Sequence, residues 1–102
     1  MKEKINILAQ KIFEDQKAVY MKRYPRLNPD HEARTKVIYG RKYTKIDVGS
    51  SGKYMIDSNG NIFGIKAYGV IHRGKKYGTL DTINNYFWGE YAPLKIKKEV
   101  KP

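Results

Sequence analysis

Apolar residues recur with a helical step along the first two dozen positions. Ile5, Leu8, Ile12 and Val19 share one face, with Ala9, Phe13, Tyr20 and Met21 beside them, while Lys4, Lys11, Glu14, Asp15, Lys17 and Lys22 mark the other. This spacing predicts an amphipathic helix over residues 1–24, strongest between Lys4 and Arg23. Pro25 ends it, because proline lacks an N–H and disfavours helical geometry at the preceding Tyr24. The stretch Asn28-Pro29-Asp30-His31-Glu32 offers an N-cap, a first-turn proline and two early acids, so the chain near 29–34 is either a short helical turn or a loop.

From Val37 the period changes to two. One alternate set is Val37, Tyr39, Arg41, Tyr43, Lys45 and Asp47; the other is Ile38, Gly40, Lys42, Thr44, Ile46 and Val48, more core-like toward its end. That alternation predicts a strand. Gly49 to Gly52 then reads as a turn and the segment from Lys53 to Asp57 as a second strand. Ser58-Asn59-Gly60-Asn61 reads as a type I′ hairpin turn, since Asn-Gly supplies the positive φ angles such a turn needs. The runs 61–69 and 70–74 are rich in β-formers and punctuated by Gly64, Gly69 and Gly74, which predicts a curled antiparallel sheet or partial barrel. Gly74-Lys75-Lys76 is expected to turn the chain back into a short strand at Tyr77-Gly78-Thr79, and Thr79 or Asp81 to cap a brief helix from Ile83 to Tyr86. Beyond Trp88-Gly89 the pattern dissolves, and residues 95–102 read as an extended strand or a frayed basic tail.

These elements predict an α+β fold, with the N-terminal amphipathic helix packed on a curled antiparallel sheet of about four to five strands. A chain of 102 residues suits one domain with one core. Its 40% apolar and 13% aromatic residues suffice to order that core although 30% are charged. The absence of cysteine removes disulfides, thiolate nucleophiles and thiolate zinc sites, and fits a cytoplasmic setting. Charges interrupt the N-terminal apolar residues every few positions, so neither a signal-peptide core nor a membrane span is expected.

Charge changes the picture more. The formal net charge is +11, which points to an anionic partner, although Lys-rich surfaces also serve solubility. Residues 37–80 carry eight basic and two acidic groups, residues 1–36 nine and five, and residues 81–102 four and three. The excess therefore concentrates in the predicted sheet. There Tyr39, Arg41, Tyr43 and Lys45 are expected on one strand face, with Lys53, Tyr54, Lys66, Tyr68, Arg73, Lys75, Lys76 and Tyr77 on later strands. Bases interleaved with aromatic rings are how single-stranded nucleic acid is commonly held, phosphates on Lys/Arg and bases on rings. Tyrosine is also a favoured strand residue, so some of these rings are expected to serve packing alone.

Other chemistry is thinly represented. His31 and His72 lie far apart without cysteine partners, which argues against a metal site. As a general base His72 would need a carboxylate such as Asp57 or Asp81 to orient it. Asp47, Asp57, Asp81 and Glu90 show no motif spacing for a magnesium-dependent nuclease. Gly49-Ser50-Ser51-Gly52-Lys53 lacks the pattern of a phosphate-binding loop, and Trp88 reads as core or as a lid over it.

The run from Tyr43 to Ile56, followed by IFGIKAYGVIHRGKKYGTLDTI and Trp88-Gly89, resembles a group of short uncharacterised proteins encoded by bacterial phages and prophages, over roughly residues 41–91. The group carries no catalytic assignment, so the resemblance implies context alone: a compact phage protein inside a bacterial cell, handling phage nucleic acid or blocking host defence. The N-terminal helix lies outside it. The expectation is a non-enzymatic protein, with no cofactor and no membrane, that binds nucleic acid or a host ribonucleoprotein through its Lys/Arg/Tyr face. The alternative is an anti-defence inhibitor, such as an anti-CRISPR, docking on a host protein effector; a metal-dependent nuclease is the third reading.

Overall fold

The computed structural model describes residues 2–26, 33–49, 51–89 and 93–96. Helix α1 spans Lys2–Arg23 and buries Ile5, Leu8, Ala9 and Ile12, while Val19 and Tyr20 are half-buried and Met21 is exposed. Glu3 in its first turn and Lys22 and Arg23 in its last complement the helix dipole. The expected turn near 29–34 lies mostly outside the described residues.

Five strands come next: β1 (Thr35–Tyr39), β2 (Thr44–Val48), β3 (Ser51–Ile56), β4 (Asn61–Ala67) and β5 (Val70–Thr79). They form an antiparallel sheet in sequence order, open at β1 and β5, against which α1 packs. The α+β expectation holds, helix and strand count included. A second, two-stranded sheet joins β6 (Tyr86–Phe87) to β7 (Leu94–Lys95). Lys95 is therefore paired instead of starting a frayed tail; residues 97–102 lie outside the described residues.

Several local expectations are corrected. The alternation from Val37 to Val48 is two strands, because the chain turns where Gly40 N–H donates to Tyr43 O at 3.0 Å, setting Tyr39 opposite Thr44. Gly52 lies inside β3 and not in the preceding turn. At the β3–β4 hairpin Gly60 has φ 83° but Asn59 has none of the positive φ that a type I′ turn requires. An aspartate organises that turn instead: Asp57 Oδ1 accepts from Asn59 N–H at 3.0 Å and Asn61 N–H at 2.9 Å, and its Oδ2 accepts from Asn61 Nδ2 at 3.0 Å.

Gly74-Lys75-Lys76 does not reverse the chain. Phe63 is opposite Lys76 and Gly64 opposite His72, so Arg73, Gly74 and Lys75 are extra residues absorbed as a bulge, while both flanks of β5 stay paired with β4. Neither Thr79 nor Asp81 caps the 3₁₀ turn at Ile83–Asn85, whose N-cap position is Thr82 without a side-chain bond. Thr79 and Thr82 brace the turn before it, Thr79 N–H donating to Thr82 Oγ1 at 2.9 Å and Asp81 N–H to Thr79 Oγ1 at 3.2 Å.

Between helix and sheet lies a core of Leu8 and Ile12 from α1, Ile46, Tyr54, Ile56 and Ile62 from the sheet, and Leu80, Ile83 and Trp88 from the segment after β5. Trp88 is fully buried: core, not lid. Its indole donates to Ile83 O at 3.0 Å, its backbone N–H to Asp15 Oδ2 at 2.9 Å, and its carbonyl accepts from Gln16 Nε2 at 2.7 Å, which ties the segment after β5 to α1. Among the described residues no helix is long and apolar enough to cross a membrane.

Candidate nucleic-acid interface

Alternation along the strands decides what each sheet face displays. Ile46 and Tyr54 are register partners in the helix-side core, so the next pair, Lys45 and Met55, points to the far face. Met55 in turn pairs with Phe63, and both are buried although neither belongs to the helix-side core. The bulge contributes to the cover over Phe63. Arg73 sets its guanidinium 5.8 Å from the Phe63 ring centroid and 5.9 Å from that of Tyr43, and donates a hydrogen bond to Tyr43 Oη. Lys42 Nζ lies 5.6 Å from the same Tyr43 ring.

Beside this stack Lys45 Nζ lies 4.9 Å from the Tyr68 ring, and Tyr68 Oη donates to Asp47 Oδ2 at 3.2 Å. Local desolvation, and then the charge and hydrogen bond of Asp47, hold the Tyr68 phenol above its ordinary pKa, so it stays a donor. Cations layered on rings are worth roughly 0.5–1 kcal/mol each at exposed sites, enough to bias their orientation without fixing it. From Thr35 to Thr79 nine basic residues face two acids, and both acids are engaged: Asp47 by Tyr68, and Asp57 by its turn.

The residues that sequence singled out therefore divide. Tyr43, Lys45, Tyr68 and Arg73 gather on the far face. Tyr39 does not join them, its hydroxyl donating to Asn6 Oδ1 at 3.2 Å on α1 with Lys2 5.2 Å from its ring. Arg41 is exposed in the β1–β2 turn, Lys66 is exposed in β4, and Lys76 lies opposite Phe63. Lys53, Lys75 and Tyr77 line a cleft on the helix side with Gln16, Tyr54 and Gly64. Lys53 is there because Ile46 pairs with Tyr54 and Asp47 with Gly52, which makes Lys53 a bulge residue and re-aims its side chain. Lys42, Phe63 and Met55 were missed; Lys42 carries the same basic-aromatic signal as its neighbours, whereas Phe63 and Met55 read as ordinary strand apolars.

The alternatives for catalysis find little geometry. His72 Nδ1 accepts from Gly74 N–H at 3.2 Å within the bulge, and Asp81 is paired with Lys4. Among the described residues no group of three or more His, Cys, Asp or Glu could hold a metal ion; Glu90 lies outside them. No protein-family model, curated protein or solved structure matches this chain.

Proposed function

We propose that the protein binds single-stranded nucleic acid on the far face of the sheet. The observation that carries this reading is the juxtaposition of Arg73 on Tyr43 and Phe63 with Lys45 on Tyr68. A guanidinium plane and two tyrosine rings give bases something flat to stack on, and three cations within the same patch, Lys42 included, take the phosphates. The resemblance of residues 41–91 to short phage proteins accords with work on phage nucleic acid inside a bacterial cell.

The test is a fluorescence-anisotropy titration of labelled DNA and RNA, single- and double-stranded, at several salt concentrations. Single strands are expected to bind more tightly than duplexes. Replacing Lys45 and Arg73 together by Ala removes two phosphate contacts, so the slope of log K against log salt should become shallower by about 1.4. Absence of binding at low salt refutes the reading. If a stoichiometric protein from nuclease-treated bacterial lysate is retained instead, an inhibitor that docks on a host effector takes its place.

A further inference from the structure

Asp47 is a carboxylate set into a face built of cations and rings. It follows Lys45 by two residues on β2, and the register with β1 is unbroken between them, so both side chains leave the same face. Tyr68, at the tip of the β4–β5 hairpin, lies across it: the phenol donates to Asp47 Oδ2 at 3.2 Å, and Lys45 Nζ is 4.9 Å from the ring. The ring gets there by passing over Gly52, the register partner of Asp47 on β3. A Cβ on Gly52 would lie 2.6 Å from Tyr68 Cδ1, closer than side chains pack, so the bare backbone at this position is what seats the tyrosine. The other carboxylate oxygen, Oδ1, is buried, and among the described residues no donor reaches it. A buried acceptor without a donor is costly, and the cost is recovered when a ligand brings one. Tyr68 is 56% exposed and holds Asp47 by one hydrogen bond, so it can lift and open the carboxylate.

We propose that Asp47 reads guanine in the strand bound on this face, its two oxygens accepting from the N1–H and the N2 amino group once Tyr68 has lifted from Oδ2 and stacked on the base. The inference rests on the nucleic-acid reading and adds a base preference to it. A carboxylate only accepts, and it offers two oxygens side by side. Guanine is the base whose Watson–Crick edge presents two adjacent donors to match them. Adenine and cytosine set a ring-nitrogen acceptor beside their amino group, and thymine and uracil flank N3–H with carbonyls, so each turns a lone pair toward a carboxylate oxygen. Phosphate is repelled by the same charge. The backbone is thereby left to Lys45 and to Lys36, the exposed register partner of Asp47 on β1, while the base edge turns inward.

Anisotropy titrations of the full chain at low salt test it, with short strands of thymine (DNA) or uracil (RNA) that carry one central guanine, hypoxanthine, adenine or cytosine, or none. The guanine strand should bind at least about fivefold more tightly than the unsubstituted one, and adenine and cytosine should each gain less than about twofold. Hypoxanthine, which keeps N1–H but lacks the amino group, should fall between guanine and the unsubstituted strand. Asp47→Asn places an amide donor where an acceptor is needed, and should bring the ratio of guanine to unsubstituted affinity to about one. Gly52→Ala pushes Tyr68 off Asp47 and should keep the preference, with thermal melts confirming that both variants are folded. Equal affinity for guanine and unsubstituted strands, hypoxanthine bound as tightly as guanine, a larger gain with adenine or cytosine, a preference that survives Asp47→Asn, or one lost in Gly52→Ala would each overturn the assignment and leave nucleic-acid binding in place. Failure of every strand to bind would overturn both.

Discussion

Replacing Tyr54 by Phe should make the free protein more stable. The ring is 2% exposed and packs edge-on against Trp88 at 5.4 Å and Tyr77 at 6.0 Å, contacts that a phenylalanine ring keeps. The change removes a buried hydroxyl without a partner, and leaving such a group unsatisfied costs about 1–3 kcal/mol. Taking the lower end, to allow for the small void left behind, the variant gains about 1 kcal/mol, or roughly 4–8 °C in melting temperature for a domain of this size. The gain should grow in alkali. Burial, with Tyr77 beside it, raises the folded-state pKa of Tyr54 above the unfolded value near 10, so its contribution to stability is full below about pH 10 and declines as pH rises toward the folded value. Phenylalanine has no such decline, and the gap should widen by up to about 1.4 kcal/mol per pH unit above 10. Urea unfolding of both proteins at pH 7 and pH 11 measures both quantities. A variant less stable than the parent at pH 7, or a gap unchanged at pH 11, refutes the claim that the hydroxyl is buried and unpaired.

Asp15→Ala should cost about 1–3 kcal/mol, since it leaves the buried Trp88 N–H without its acceptor; Trp88, the one tryptophan, reports the urea midpoint by its fluorescence. Gly60→Ala should cost about 1–2 kcal/mol through the left-handed backbone alone, because a Cβ there meets Leu80 at an ordinary 3.6 Å. Differential scanning calorimetry gives the shift. Asp57→Ala should destabilise by about 1 kcal/mol or less at neutral pH, as its carboxylate is largely solvated. Although burial opposes it, hydrogen bonds from Asn61 and Asn59 and the nearby Lys76 lower the folded pKa, so this contribution is present above about pH 4 and is lost as pH falls through the folded value; parent and variant should converge in acid unfolding curves.

Helix α1 was legible because Ile5, Leu8 and Ile12 repeat at a helical step and Pro25 punctuates the end. The sheet was legible as a β-rich region, yet its faces were not. Counting by twos from Tyr39 to Lys45 placed four residues on one strand, while the chain reverses between them through Gly40-Arg41-Lys42-Tyr43, a turn without the Asn, Asp or Pro that usually marks one. Each bulge then breaks the parity of the strand beyond it, since one extra residue transfers a side chain to the other face. That is why Lys53 and Lys75 belong with Gln16 and Tyr54 in the cleft, and Arg73 with Tyr43, although all are basic strand residues in the sequence. The tie between Asp15, Gln16 and Trp88 spans more than seventy positions, and no local pattern announces it.

That tie also sets an order of events during synthesis. α1 leaves the ribosome before the sheet does, but its apolar stripe of Ile5, Leu8 and Ile12 shares its cover with Trp88, which emerges 73 positions after Asp15 of the helix. Until then the helix is a nascent segment with unsatisfied apolar surface, too dependent on distant contacts to be stable alone. Docking of the helix therefore waits on Trp88, and a chain cut before that residue would keep this stripe uncovered and open to chaperones and proteases.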